Sequence, residues 1–160
     1  MLSNKELSDF TESFAKRLLE QRGYTVGILK TANQTYDLTV TGGTRSFLVS
    51  VTVSRNKQQV QLGDRPAVNR LGDGNFVFAF MSADDEDIQF TENSYRLLII
   101  PSSVAKEDGL NVHDSYSESR GTEYNFSVMV KGYTKRQLEI DVWTRWQSYA
   151  DAWDSLPPLK

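Results

Sequence analysis

The chain has 160 residues, 39% of them hydrophobic and 24% charged, with no cysteine and a formal charge of −3. That is the size and makeup of one ordinary globular domain, and it excludes a disulfide framework, a thiolate metal site and a cysteine nucleophile. No apolar run reaches the roughly 20 residues that cross a bilayer, MLSNKELSDF is no signal peptide, and the net acidity disfavours a whole-surface nucleic-acid binder, so a single cytoplasmic domain over 1–160 without membrane contact is expected.

Ser3-Asn4-Lys5-Glu6 reads as a capping box, in which the serine hydroxyl and the glutamate carboxylate each satisfy a backbone N–H, so a helix is predicted over about 4–22. Leu7, Phe10, Phe14 and Leu18 recur at helical spacing as its buried stripe, and Gly23 ends it as a left-handed cap. Glu12 lies off the centre of that stripe and reads most plainly as a solvated carboxylate. Residues 24–30, YTVGILK, make a short strand, followed by a loop over 31–34.

Residues 35–54, TYDLTVTGGTRSFLVSVTVS, organise the rest. Two glycines between alternating runs signal a two-residue hairpin turn at Gly42-Gly43, with Thr41 opposite Thr44 and Asp37 across from Leu48. Side chains alternate along a strand, so Asp37 shares a polar face with Ser50 and Thr52. The other face carries Tyr36, Leu38, Val40, Phe47, Val49, Val51 and Val53.

The next stretch, RNKQQVQLGDRPAVNRLGDGN, is the most basic neighbourhood, with Arg55, Lys57, Arg65 and Arg70, and its glycines and Pro66 predict a loop with at most a short helix around 66–71. It reads either as a solvated loop or as a phosphate-contacting flank beside the Asp37 face. NFVFAFM, 75–81, has the continuous apolar character of a strand buried on both faces. Asp84-Asp85-Glu86-Asp87 reads as a solvated acidic loop rather than a cation site. A strand over Tyr95–Ile100 stops at Pro101, and Ser102 can cap a short helix.

His113, the only histidine, stands in a segment without periodicity and reads as an exposed loop residue; no serine elbow accompanies it. Alternation predicts strands through Tyr124–Val130 and through Leu138, Ile140 and Val142. A last helix starts at Thr144, with Trp146, Tyr149 and Trp153 as a stripe facing the core or a partner.

The helix TESFAKRLLEQRGYTV leading into a hairpin with Asp37 on its first strand resembles the PD-(D/E)XK nuclease-like superfamily. Its core places an Asp on one strand and (Asp/Glu/Gln)-X-Lys on the next, and in many members a glutamate of the preceding helix joins the site, as Glu12 would. Ser50-Val51-Thr52 stands where that triplet would be. The resemblance implies an α/β fold with a restriction-endonuclease-like core, a mixed central sheet flanked by helices. It also implies a degenerate site at Glu12, Asp37, Ser50 and Thr52, with Lys57 as a candidate migrated lysine.

A neutral hydroxyl neither balances Mg²⁺ charge nor offers a cation to a transition state. The expectation is therefore a catalytically inactive binding or assembly module with a DNA or protein partner in a restriction, defence or mobile-element setting. The alternatives are a divalent-metal-dependent nuclease, with Mg²⁺ on Asp37 and Glu12, and a self-associating homo-oligomer. No cofactor is expected in the inactive case.

Overall fold

The computed structural model describes residues 2–29, 35–55, 59–84, 86–117, 126–129 and 137–159. In chain order these form α1 (Asn4–Gln21), β1 (Thr25–Ile28), β2 (Leu38–Gly42), β3 (Arg45–Ser54), β4 (Gln59–Gly63), α2 (Arg65–Asn69), β5 (Phe76–Ser82), β6 (Tyr95–Pro101), α3 (Ser102–Ser117), β7 (Phe126–Met129) and α4 (Gln137–Trp146). One five-stranded sheet has the order β1-β2-β3-β5-β6, and β4 pairs with β7 in a separate two-stranded sheet. The β3–β5 pair is parallel and the other three neighbouring pairs of the large sheet are antiparallel, so it is mixed, as expected. No helix among the described residues is long and apolar enough to cross a membrane.

Two cores lie on opposite faces of this sheet, and β5 shows why. All seven of its residues are buried. Phe76, Phe78 and Phe80 point to the α1 side, while Val77, Ala79 and Met81 point to the side that holds Ala105 and Val112 of α3 and Trp146 of α4. Strand alternation divides the apolar run into an aromatic layer and an aliphatic one. On the α1 side the rings meet edge to face, as in Phe14–Tyr95 (centroids 5.3 Å apart) and Phe47–Phe76 (5.5 Å), the geometry that ring quadrupoles favour.

The capping box on α1 forms: the Glu6 amide donates to Ser3 Oγ at 3.1 Å, and the Ser3 amide donates to Glu6 Oε1 at 2.9 Å. The buried stripe is turned by one position from the predicted one. It consists of Leu7, Thr11, Ala15 and Leu19, while Phe10 is 44% exposed. Thr11 and Ala15 are small enough to let α1 lie close to the sheet, and Phe10 and Phe14 pack sideways against Phe90 at 5.1 and 4.9 Å.

Further expectations need correction. Residues 59–63, expected as loop, form a strand, β4, whereas α2 is the short helix expected near 66–71, capped by the Asp64 side chain. The segment from Ser102 to Ser117 is one continuous helix, so His113 lies on α3 and not in a loop. Leu138, Ile140 and Val142 fall on α4, where the i, i+4 pair of buried residues Val142 and Trp146 sets the helical period. The helix expected to start at Thr144 does not form: α4 ends at Trp146 and the chain continues as two short 3₁₀ turns, Gln147–Tyr149 and Trp153–Ser155. Trp146 is fully buried, as a core-facing stripe requires.

From Leu38 to Val53 the hairpin has its predicted faces, with a different register. Gly42 pairs with Arg45 and Thr41 with Ser46, which moves the two-residue turn to Gly43-Thr44. Gly43 has φ of +60° and Thr44 is not among the positive-φ residues, the pattern of a turn that needs glycine only at its first central position. Gly42 is glycine for another reason. A Cβ there would stand 2.7 Å from the Tyr24 ring and 2.8 Å from Leu159 Cδ2.

Candidate functional site

The site is built where β2 begins. In the register Leu38↔Val49, a regular ladder would carry on to face Val51 with Tyr36. The chain departs from that ladder at Asp37. Its amide donates to the Val49 carbonyl (2.9 Å), its carbonyl accepts from Leu29 (2.8 Å), and its Oδ2 accepts the Val51 N–H at 2.7 Å. The aspartate side chain thus replaces a strand carbonyl as the acceptor for β3, directly between Ser50 and Thr52. Both of these residues are half-buried, on the face of β3 opposite Val49 and Val51, and stand beside Val77 and Ala79 of β5.

The break in the ladder also redirects Tyr36, which joins the second core and not the α1 face it was expected to share with Leu38. Its hydroxyl accepts the Gly72 amide at 2.9 Å, and Thr35 Oγ1 donates to the Ala67 carbonyl at 2.8 Å. The two residues before Asp37 therefore fasten the mouth of the hairpin to α2 and the loop behind it. Neither anchor was read from the sequence; the only available signal was a polar-aromatic pair directly preceding the aspartate.

Asp37 is pushed up from 3.8 to about 7. Burial contributes most, since a carboxylate in a poorly solvated pocket loses hydration of its charge. The Val51 N–H opposes this by favouring the ionised form, and the negative charge of Glu12 adds to the rise. The charge of Glu12 on α1 therefore acts on Asp37. Glu12 is half-buried beside the Thr11–Ala15 stripe, with Ser8 Oγ 3.5 Å from its Oε2. The turn of α1 by one position takes Glu12 from the predicted solvent side to a half-buried position.

Among the described residues, no group of three or more His, Asp or Glu side chains is placed to hold a metal ion. Glu12 and Asp37 are two carboxylates, one of them already accepting a backbone N–H, and the strand residues on either side of that N–H are the neutral alcohols Ser50 and Thr52. This set does not fit Mg²⁺, which asks for ionised oxygen ligands in near-octahedral geometry.

The basic flank is divided by the structure. Arg55 directs its guanidinium inward: Nε donates to Asn4 Oδ1 at 3.1 Å, one terminal nitrogen meets the Asp87 carboxylate at 3.4 Å, and the other donates to the Leu2 carbonyl. Its own carbonyl accepts the Ile88 amide at 2.8 Å. Arg55 therefore ties the first turn of α1 to the end of β3 and to the acidic loop. In that loop Asp84 Oδ1 accepts the Glu86 amide, and Asp84, Glu86 and Asp87 are exposed. Arg65 opens α2 and Arg70 follows it on the surface. Lys57 lies outside the described residues.

No protein-family model matches the sequence, and no curated protein matches it. Among solved structures the chain is similar to a bacterial homing endonuclease, I-Ssp6803I, with a TM-score of 0.53 over 96% of this chain and 91% of that one, at 16% identity. The likeness shows a nuclease-like α/β fold and, at that identity, nothing about individual residues.

Proposed function

We propose that this chain is a degenerate PD-(D/E)XK nuclease-like domain that binds duplex DNA without cutting it. One observation carries the reading: the Asp37 carboxylate is bonded at 2.7 Å to the amide of Val51, whose two neighbours on β3 are the neutral alcohols Ser50 and Thr52. Hydrolysis of a phosphodiester needs ionised ligands for a divalent ion and a positive group at the developing charge, and losing one preorganised electrostatic group costs on the order of 10²–10³ in rate. Two such losses leave little activity. The nuclease-like fold supports DNA as the partner, and the net charge of −3 confines contact to a local surface, for which Arg65 and Arg70 on the α2 side are the candidates.

A second reading, a metal-dependent nuclease, is favoured by a second carboxylate, Glu12, whose charge acts on Asp37. Incubating the protein with duplex, single-stranded and branched DNA and Mg²⁺ or Mn²⁺ separates the two. Salt-dependent duplex binding with no cleavage is the expected result. Metal-dependent cutting that Asp37→Ala abolishes would establish the second reading, and absence of any DNA binding would transfer the assignment to a protein partner.

A further inference from the structure

The hydrophobic pattern of the β2–β3 hairpin allows two registers. With the turn at Gly42-Gly43, Thr39 would face Ser46 and Asp37 would face Leu48; with the turn at Gly43-Thr44, as observed, Thr41 faces Ser46 and Thr39 faces Leu48. The two differ by two residues along β3, so the same side chains stay on the same faces. A slip by one residue is penalised by exposing the core, whereas a slip by two is not penalised in that way. Something beyond the alternation must select the register, and with it the placement of Asp37 beside Ser50.

We infer that Tyr24 and Leu159 are positioning residues that fix this register by packing over Gly42 only when Gly42 is in the strand. Gly42 continues the core-facing row of Leu38 and Val40, and it is buried. The space where its Cβ would be is filled by the Tyr24 ring at 2.7 Å and by Leu159 Cδ2 at 2.8 Å, and Leu159 Cδ1 stands 3.1 Å from the equivalent point at Gly23. The Tyr24 hydroxyl donates to the Pro157 carbonyl at 2.7 Å, and Leu156 is buried in the core on the α1 side. Residues 156–159 therefore lie as a strap across two glycines, one at the end of α1 and one at the tip of the hairpin. Were Gly42 a turn residue, it would leave the row that the strap covers, and Tyr24 and Leu159 would lose their seat. At the other end of β2, the bond from Val51 N–H to Asp37 Oδ2 holds the same register.

This proposal concerns the geometry of the hairpin and holds whether or not the domain binds DNA. The absence of cysteine in the chain permits a direct test. The pair T41C/S46C reports the observed register, since Thr41 Oγ1 and Ser46 Oγ are 3.2 Å apart. The pair T39C/S46C reports the other, because in the observed register these positions are diagonal, at about 7–8 Å, too far for a relaxed disulfide. In the full chain the first pair is expected to oxidise and the second to stay reduced. Introducing Leu159→Ala or Tyr24→Ala should raise the T39C/S46C crosslink about tenfold, the population change that loss of one packed side chain can produce. Should either substitution prevent folding, Tyr24→Phe removes only the bond to Pro157 and should move the crosslink ratio in the same direction. Strap variants that fold and keep the original crosslink ratio would overturn the assignment and leave the strap a purely stabilising contact.

Discussion

Replacing Asp37 with asparagine tests the electrostatics of the site without relying on any activity. The native carboxyl titrates near 7 against an ordinary 3.8, so the folded state holds a proton that the unfolded chain has already released across that range. Below about pH 4 both states are protonated and the site carries no penalty. As pH rises toward 7 the unfolded chain binds fewer protons than the native one, and stability falls. Above about pH 7 the penalty is complete: at about 1.4 kcal/mol per tenfold, the move from 3.8 corresponds to about 4 kcal/mol, and partial solvation of this half-buried group brings the expectation to about 2–4 kcal/mol. Asparagine has nearly the same shape and its amide oxygen can still accept the Val51 N–H. Chemical denaturation of both proteins at pH 4, 6 and 8 should therefore give similar stability at pH 4 and a variant more stable than the parent by about 2–4 kcal/mol at pH 8. Glu12→Gln should recover a smaller part, because burial outweighs the Glu12 charge among the causes. A difference between parent and Asp37→Asn that does not change with pH, or a variant less stable at pH 8, would refute the reading of a desolvated carboxyl.

The remaining predictions concern the frame around that site and the chemistry it lacks. Asp108 is 7% exposed and accepts from Trp146 Nε1 at 2.7 Å and from Arg145 at 2.9 Å, so Asp108→Ala should cost about 2–4 kcal/mol in denaturant by leaving the buried indole N–H without an acceptor, whereas Arg145→Ala, which removes an exposed cation, should cost about 1 kcal/mol or less. Arg55→Lys keeps the charge and loses the fork that reaches Asn4, Leu2 and Asp87; it should lower the melting temperature by a few degrees and leave the salt dependence of DNA binding unchanged, while Arg70→Ala should reduce that slope by about 1. The pair Ser50→Glu with Thr52→Lys supplies the missing acid and amine and should raise Mg²⁺-dependent cleavage by about 10² or more over the parent. A folded double variant that stays inert would place the deficiency elsewhere in the site.

Much of the frame could be read from residue order because the local signals and the packing agree. The Ser3–Glu6 capping box forms as written, the continuous apolar run at 75–81 contains the doubly buried β5, and from Leu38 onward the two faces of the hairpin separate as its alternation requires. The misreadings occur where one pattern satisfies two periods. Leu138, Ile140 and Val142 alternate like a strand, yet Val142 and Trp146 also stand a helical turn apart, and burial of Trp146 with its bond to Asp108 selects the helix. The diglycine reads as a single turn signal, although its two members serve different ends, Gly43 for its positive φ and Gly42 for lack of a side chain under Tyr24 and Leu159.

The candidate site shows the same division more sharply. Alternation places Asp37 on the first hairpin strand, whereas in the structure it stands one residue before β2, and its raised titration comes from what no spacing rule encodes: burial where the ladder breaks and the charge of Glu12, against the opposing Val51 amide. Glu12 illustrates why. Judged by large apolar residues, Phe10 and Phe14 define the inner face of α1 and exclude Glu12 from it. Judged by what can lie against a sheet at close range, Thr11 and Ala15 define that face, and Glu12 is then carried to its half-buried border, from which its charge acts on Asp37. Small side chains at a helix–sheet contact fix the rotation of the helix, and that rotation decides whether a carboxylate is surface solvation or part of a site. Whether this one tunes Asp37 or merely crowds it is what the comparison of Glu12→Gln with Asp37→Asn across pH resolves, since only a neighbouring charge disappears in the first and the titrating group itself in the second.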